Sequence, residues 1–214
     1  MLSYFLTLAL SPSLPQEGTY RYKALAGNAT VATAQVTIKH TATGLALSEF
    51  GTLISEGGNV DYSSTLTLPP SLVVSSYTAK YKQREEVEAA AVDITDASAS
   101  MTINRTVTVV SLEPGTKAYV VLDSGPVSGY FVLPAEVRAL ANANLTAISP
   151  LAGNTQSLLP ITGDDATRPA TVPAGDAHLA IGGQVPFVLW YDPVTGVLDE
   201  VDVPGRGVVV SRVK

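Results

Sequence analysis

The sequence predicts an all-β dominated fold: a single, strongly curved antiparallel sheet of about ten or more strands, a half-barrel, wrapped around one short helix. Three observations carry this expectation. From residue 18 to about 111, apolar and polar residues alternate in runs of six to ten, the period of two expected of half-buried strands. Turn residues break these runs at regular intervals with no helical period between them, the pattern of an antiparallel meander. The last thirty residues, 185–214, read as three more short strands. They are joined by a tight turn at Asp192-Pro193-Val194-Thr195-Gly196 and a break at Pro204-Gly205-Arg206-Gly207, where Pro presets φ and Gly accepts φ > 0.

Taken in order, Tyr20, Tyr22 and Ala24 face one way and Arg21 and Lys23 the other. After the Gly27-Asn28 turn, Ala32, Ala34, Val36 and Ile38 oppose Thr33, Gln35, Thr37 and Lys39. Leu45, Leu47 and Leu53 share a parity that Phe50 and Ile54 break, which predicts a bulge or bend near Gly51. Beyond Gly57-Gly58-Asn59, Val60, Tyr62, Leu66 and Leu68 form one face, and Pro69-Pro70 ends the strand. Tyr77, Ala79 and Tyr81 continue the apolar face, and residues 86–94, 99–105 and 106–111 are weaker alternating segments. Residues 118–123 are nearly all apolar and read as a strand buried on both faces. The one helix is expected at 134–142, with Pro134 in its first turn, Glu136 at the positive end of its dipole, and Val137, Leu140 and Ala141 on one face. Residues 144–151 and 157–162 return to strand, and 163–175 form a loop or a weak strand flanked by loops. A sheet of this many twisted strands cannot stay flat, and a curled one commonly encloses a helix.

Composition narrows the function. Hydrophobic residues make up 46% of the 214, and only 15% are charged, which excludes a disordered chain. Thirteen Lys and Arg against nineteen Asp and Glu give a net charge of −6. The longest basic run, Lys80-Tyr81-Lys82-Gln83-Arg84, runs straight into Glu85-Glu86, so nucleic acid is not an expected partner. Without cysteine there is no disulfide, thiolate catalysis or Cys-ligated zinc. The apolar run at residues 2–10 is too short to span a bilayer, which takes about 20 residues, so no transmembrane segment is expected. Residues 1–17 read either as an N-terminal arm or as the remnant of a secretory signal, and 18–214 as one curved-sheet domain.

No catalytic or metal-ligating set emerges. His40 and His178 stand far apart without a third ligand, and the pairs Glu85-Glu86 and Asp164-Asp165 read as solvated charges. Ser111, Ser124 and Ser157 lack a nucleophile setting, and no cofactor motif is present. The aromatic residues are more informative. Tyr20, Tyr22, Tyr62, Tyr77 and Tyr81 all fall on the apolar parity of their strands, and Phe187 and Trp190 lie in the closing strands with Trp190 on the face opposite Phe187. A tyrosine joins an apolar ring to a hydroxyl that seeks a partner. These seven residues either line a groove for an amphiphile on the concave face or fill the space between sheet and helix.

The phrases Tyr20-Arg21-Tyr22-Lys23, Ala34-Gln35-Val36-Thr37-Ile38, Val121-Leu122-Asp123-Ser124 and Phe187-Val188-Leu189-Trp190-Tyr191-Asp192, with Gly196-Val197-Leu198-Asp199-Glu200-Val201 and Pro204 after them, resemble uncharacterised bacterial envelope proteins of curled-sheet type. Those are similar in architecture to the lipoprotein carriers LolA and LolB. The resemblance implies a half-barrel whose concave side, partly plugged by a helix, accepts an acyl chain or other apolar ligand. It also implies a place in the cell envelope, with a cytoplasmic location as the alternative. The chain departs from the carriers in its Pro/Gly-rich loop at 163–175 and in having no clear signal peptide. A related fold serves the cofactor-free pigment-biosynthesis enzyme VioE. The expectation is therefore non-enzymatic binding of a lipid-like or hydrophobic ligand; the alternatives are a cofactor-free enzyme on a hydrophobic small molecule and a structural or interaction protein.

Overall fold

The computed structural model describes residues 14–54, 56–71, 76–95, 98–112, 118–123, 125–139, 145–161 and 166–214. Eight strands follow one another first: β1 (Gly18–Ala26), β2 (Ala29–Thr41), β3 (Gly44–Leu53), β4 (Val60–Leu68), β5 (Ser76–Gln83), β6 (Glu86–Ile94), β7 (Ser98–Ile103) and β8 (Thr106–Ser111). Then come β9 (Ala118–Val121), the helix α1 (Ser128–Ala139), β10 (Leu145–Ser149), β11 (Asn154–Ile161), β12 (Ala177–Gly182), β13 (Phe187–Tyr191), β14 (Leu198–Val203) and β15 (Val208–Val213). All fifteen strands form one sheet in the order β8-β7-β6-β5-β4-β3-β2-β1-β15-β14-β13-β12-β11-β10-β9. Every pairing is antiparallel except β9 with β10, which are parallel because α1 carries the chain across between them.

This order forces the curl. Fourteen inter-strand steps at about 4.8 Å would set the edge strands β8 and β9 about 67 Å apart in a flat sheet. Those same two strands are consecutive in sequence, from Ser111 to Ala118. Seven residue steps reach at most about 25 Å, so the sheet has to bend until its edges approach each other. Polar contacts across the interior record the same bend. The Tyr77 and Tyr81 hydroxyls of β5 donate to Asp123 Oδ2, just past β9, at 3.1 and 2.7 Å.

The concave face holds the core. Tyr22, Val36, Ile38, Leu45, Leu47, Tyr62, Leu66, Tyr77 and Val92 are almost wholly buried, while their neighbours in each strand point outward. Phe131, Val132, Leu133 and Ala135 of α1 are equally buried, as expected of a helix that is apolar on every side. Gly129 lets α1 press against β9, since a Cβ there would stand 1.9 Å from the Val121 carbonyl oxygen. In the closing turn, Asp192 Oδ1 accepts the N–H groups of Val194 and Thr195, and Gly196 at φ 66° donates to the Asp192 carbonyl.

Two expectations about local structure are corrected. Pro134 does not begin the helix; α1 starts six residues earlier and contains it. Pro134 thus leaves the Tyr130 carbonyl without its helical donor, and the burial of the flanking side chains outweighs that loss. Glu136 accordingly lies deep in the helix rather than in its first turn. Nor is there a bulge at Gly51, because the β2–β3–β4 register runs through it unbroken. A Cβ there would stand 2.2 Å from the Thr33 carbonyl oxygen and 2.6 Å from the Tyr62 hydroxyl, so the glycine answers a close strand approach. Register shifts occur instead at Ala24/Leu25 and Trp190/Tyr191. The apolar run at residues 2–10 and the Asp164-Asp165 pair lie outside the described residues, as do Leu140 and Ala141.

Candidate functional site

The tyrosines chosen from the sequence do converge on the concave face, and their hydroxyls are used inside it. Tyr22 donates to the Leu198 carbonyl at 2.7 Å, Tyr62 to Glu49 Oε1 at 2.7 Å, and Tyr77 and Tyr81 both to Asp123. Tyr20, nearer the rim, donates to the Gln16 carbonyl at 3.0 Å. The rings pack on α1 and on each other: Tyr22 meets Phe131 edge-on at 5.6 Å, Phe187 meets Tyr130 edge-on at 5.2 Å, and Tyr62 lies 6.1 Å from Tyr81. Burial, with Asp123 nearby, pushes the Tyr77 and Tyr81 phenols far above their ordinary range. They act as neutral donors.

The alternation in β13 turns Phe187, Leu189 and Tyr191 inward. Trp190 takes the face opposite Phe187, as its parity predicts, and so stands away from the concave face, on the other side of the sheet. There it pairs across strands with His178 and Glu200, its ring 4.8 Å from the His178 imidazole. Thr171, in the loop before β12, covers this side by donating to Glu200 Oε2 at 2.8 Å. His40 has a structural task as well. Its Nε2 lies 2.8 Å from the Pro15 carbonyl, and its backbone N–H donates to Glu17 at 2.6 Å, tying down the entering chain.

Three acids are buried in a way the sequence does not signal, although Glu136 is picked out there as a helix-dipole residue. Glu49, on β3, accepts the Val127 N–H at 2.9 Å and the Ser128 N–H at 2.9 Å. It caps α1 from a distant strand and meets the positive end of the helix dipole. Burial pushes its carboxyl up to about 6, against the pull of these hydrogen bonds and of Tyr62. Glu136 is fully buried, neither oxygen has a partner among the described residues, and burial holds it well above the usual carboxylate range. Asp199 pairs with Arg212 at 2.8 Å and lies beside Asp176, whose carboxyl is pushed up to about 6 by burial and then by the Asp199 charge. Among the described residues, no three His, Cys, Asp or Glu come together in a way that could hold a metal ion.

Two cavities bear on binding. Between sheet and helix, a cavity of about 210 Å³ is lined by Asp123, Tyr130, Gln156, Gln184, Phe187 and Arg206 among others, and its wall is largely polar. The larger recess, about 610 Å³, lies on the outer face of β1–β4 and is mostly apolar. A sheet this strongly twisted is saddle-shaped, so an outer surface that is convex across the strands can be hollow along them. Two cross-strand rows border the recess: Arg21, Gln35 and Phe50, and beside them Lys23, Thr33, Thr52 and Asp61. Gly51 and Ala34 lie between the rows, and Val213 of β15 closes one side. Phe50 is 57% exposed. Its break with the apolar parity of β3 was the sequence signal for this recess.

No family model matches the chain, and no curated protein matches it. Among solved structures it is similar to the crystal structure of a DUF1089 family protein from Pseudomonas aeruginosa. The two share 12% identity, the match covers 80% of this chain and 89% of that one, and the TM-score is 0.49.

Proposed function

We propose that this protein is a non-enzymatic binding protein for a lipid-like or hydrophobic ligand, and that the ligand lies in the outer recess over β1–β4 rather than between sheet and helix. The observation that carries this reading is the recess of about 610 Å³ with Phe50 standing exposed in it. Pockets for small apolar ligands run to about 300–1,000 Å³, and covering a phenylalanine side chain gains about 1.5–3 kcal/mol. The cavity beside Asp123, at about 210 Å³ and with a polar wall, suits an acyl chain poorly. The tyrosines of the concave face already have partners for their hydroxyls. A cell-envelope location belongs to the same proposal, supported by the resemblance to the lipoprotein carriers.

The test combines native mass spectrometry of freshly purified protein, organic extraction, and Nile red titration with dodecanol as competitor. Nile red fluorescence should rise on binding and fall as dodecanol displaces the dye. Phe50→Asp should weaken dye binding by more than tenfold. It should move Tm by no more than about 4 °C, because a substitution on the outer face of a strand changes stability by about 1 kcal/mol. No extracted apolar molecule together with no dye binding, or dye binding untouched by Phe50→Asp, would overturn the reading.

A further inference from the structure

The outer recess has a charge asymmetry that its apolar floor does not require. Arg21 and Lys23, two positions apart on β1, both point outward along one border. Neither forms an ion pair among the described residues, where the ion pair present is Arg212 with Asp199. The Arg21 Nε–H donates at 3.4 Å to Gln35 Oε1, a long contact with a neutral group. The one carboxylate of the border, Asp61, stands at the far end of the second row, on β4, where it accepts the Thr52 hydroxyl at 2.8 Å. Three strand spacings, about 14 Å, separate it from Lys23. In a chain of net charge −6, two adjacent cations without an ion pair among the described residues are a local excess of positive charge. Glu200, two strands away in the row of Lys23, is buried and accepts from Thr171 and Ser211. The two cations flank the side of the hollow from which the outer backbone surface at Ala34 and Gly51, whose side-chain positions face the core, leads to Phe50.

We infer that the ligand of this recess is an anionic single-chain amphiphile, a fatty carboxylate, with its head group at Arg21 and Lys23 and its chain laid across Ala34 and Gly51 toward Phe50. The inference rests on the outer recess being the binding site and adds the class of ligand. A guanidinium presents a planar fork that a carboxylate can engage with two hydrogen bonds, and the neighbouring ammonium adds a second charge. Asp61, at the other end of the recess, stands opposite Lys82 of β5, whereas Arg21 and Lys23 have no carboxylate directly across from them. A neutral alcohol of the same length keeps the apolar contact and loses the head-group contact, whereas a quaternary ammonium meets like charge.

The experiment compares dodecanoate, dodecanol and dodecyltrimethylammonium, each below its micelle concentration, by isothermal titration against the full chain and against the variant Arg21→Gln/Lys23→Gln. Both substituted residues are exposed, and circular dichroism checks that the variant folds. Dodecanoate should bind the full chain at least tenfold more tightly than dodecanol, and the ammonium more weakly than either. In the variant, dodecanoate should fall to the affinity of dodecanol while dodecanol is unchanged, and added salt should weaken dodecanoate in the full chain alone. Equal affinity for dodecanoate and dodecanol, or a dodecanoate preference that survives in the variant, would overturn the head-group assignment and leave the recess standing as an apolar site. If none of the three binds, the recess itself is not the site and both readings fall.

Discussion

Replacing Glu49 tests whether a strand residue caps α1 across the sheet. Its carboxylate accepts two backbone N–H groups, from Val127 and Ser128, and the Tyr62 hydroxyl, at 2.7–2.9 Å. Leucine at 49 would leave the Val127 and Ser128 N–H groups without an acceptor and the Tyr62 hydroxyl with only its 3.5 Å contact to the Gly125 carbonyl, at about 1–3 kcal/mol each. Against that, the carboxylate itself is unfavourable at neutral pH. Its pKa rises from 4.5 to about 6 on folding, and a shift of one unit is about 1.4 kcal/mol, so burying the charged form costs about 2 kcal/mol at pH 7. The net expectation for Glu49→Leu at pH 7 is a loss of about 1–7 kcal/mol. Glu49→Gln keeps one oxygen for the two N–H groups and turns its amide toward the Tyr62 oxygen, so it should cost only about 1 kcal/mol.

The pH dependence separates these effects. Because the folded pKa of Glu49 is the higher one, the folded state holds the proton more tightly. The group's stabilising contribution is full below pH 4.5 and is lost as pH rises through about 6. Urea unfolding followed by the fluorescence of Trp190, the one tryptophan, at pH 4.5, 5.5, 6.5 and 7.5 gives the curve directly. Glu49→Gln should flatten it by about 2 kcal/mol across that range. If the variant keeps the full slope, or if Glu49→Leu costs less than about 0.5 kcal/mol, the cap from β3 is not what holds the helix N-terminus.

Two other carboxyls give shorter tests. Asp176→Asn should remove a further part of the pH dependence, because the Asp176 pKa is raised from 3.8 to about 6 and its contribution also fades as pH rises through 6. The slope that remains belongs to groups such as Glu136, whose carboxyl pKa burial also raises. Thermal melts of the two single variants and the double variant between pH 4 and 8 should show additive flattening if the sites are independent. Glu136→Met replaces a fully buried carboxyl that has no partner among the described residues with an apolar chain of similar length. It should raise stability by about 1–3 kcal/mol, read as a higher urea midpoint at unchanged slope, and a destabilised variant would mean that Glu136 makes contacts its burial does not reveal.

Strands were legible because period-2 alternation is a local property. Tyr20, Tyr22, Ala24, Val36, Ile38, Leu66, Leu68, Tyr77, Ala79 and Tyr81 all reach the side of the sheet that their parity assigns. The helix boundary was not legible, because the group that caps it is Glu49, 79 residues before Ser128, and Pro134 gives a start signal in the wrong place. The outer recess was half legible. Phe50 broke the pattern in a way the sequence could register, yet an outward phenylalanine in a sound register and a true bulge leave the same mark in one dimension.

By itself, then, the chain determined an antiparallel, strand-dominated fold with one helix, because side-chain alternation and turn chemistry act within a few residues. The tertiary structure alone decided the rest. The pairing of β1 with β15 made β8 and β9 the edges, and the short stretch between them curled the sheet. That curl buried the tyrosines against α1 and gave their hydroxyls to Glu49, Asp123 and Leu198. It also carried the open apolar surface to the outer side, beside Arg21 and Lys23. Curvature is a sum over fourteen strand contacts and one closing connection, and no local stretch of sequence contains that sum.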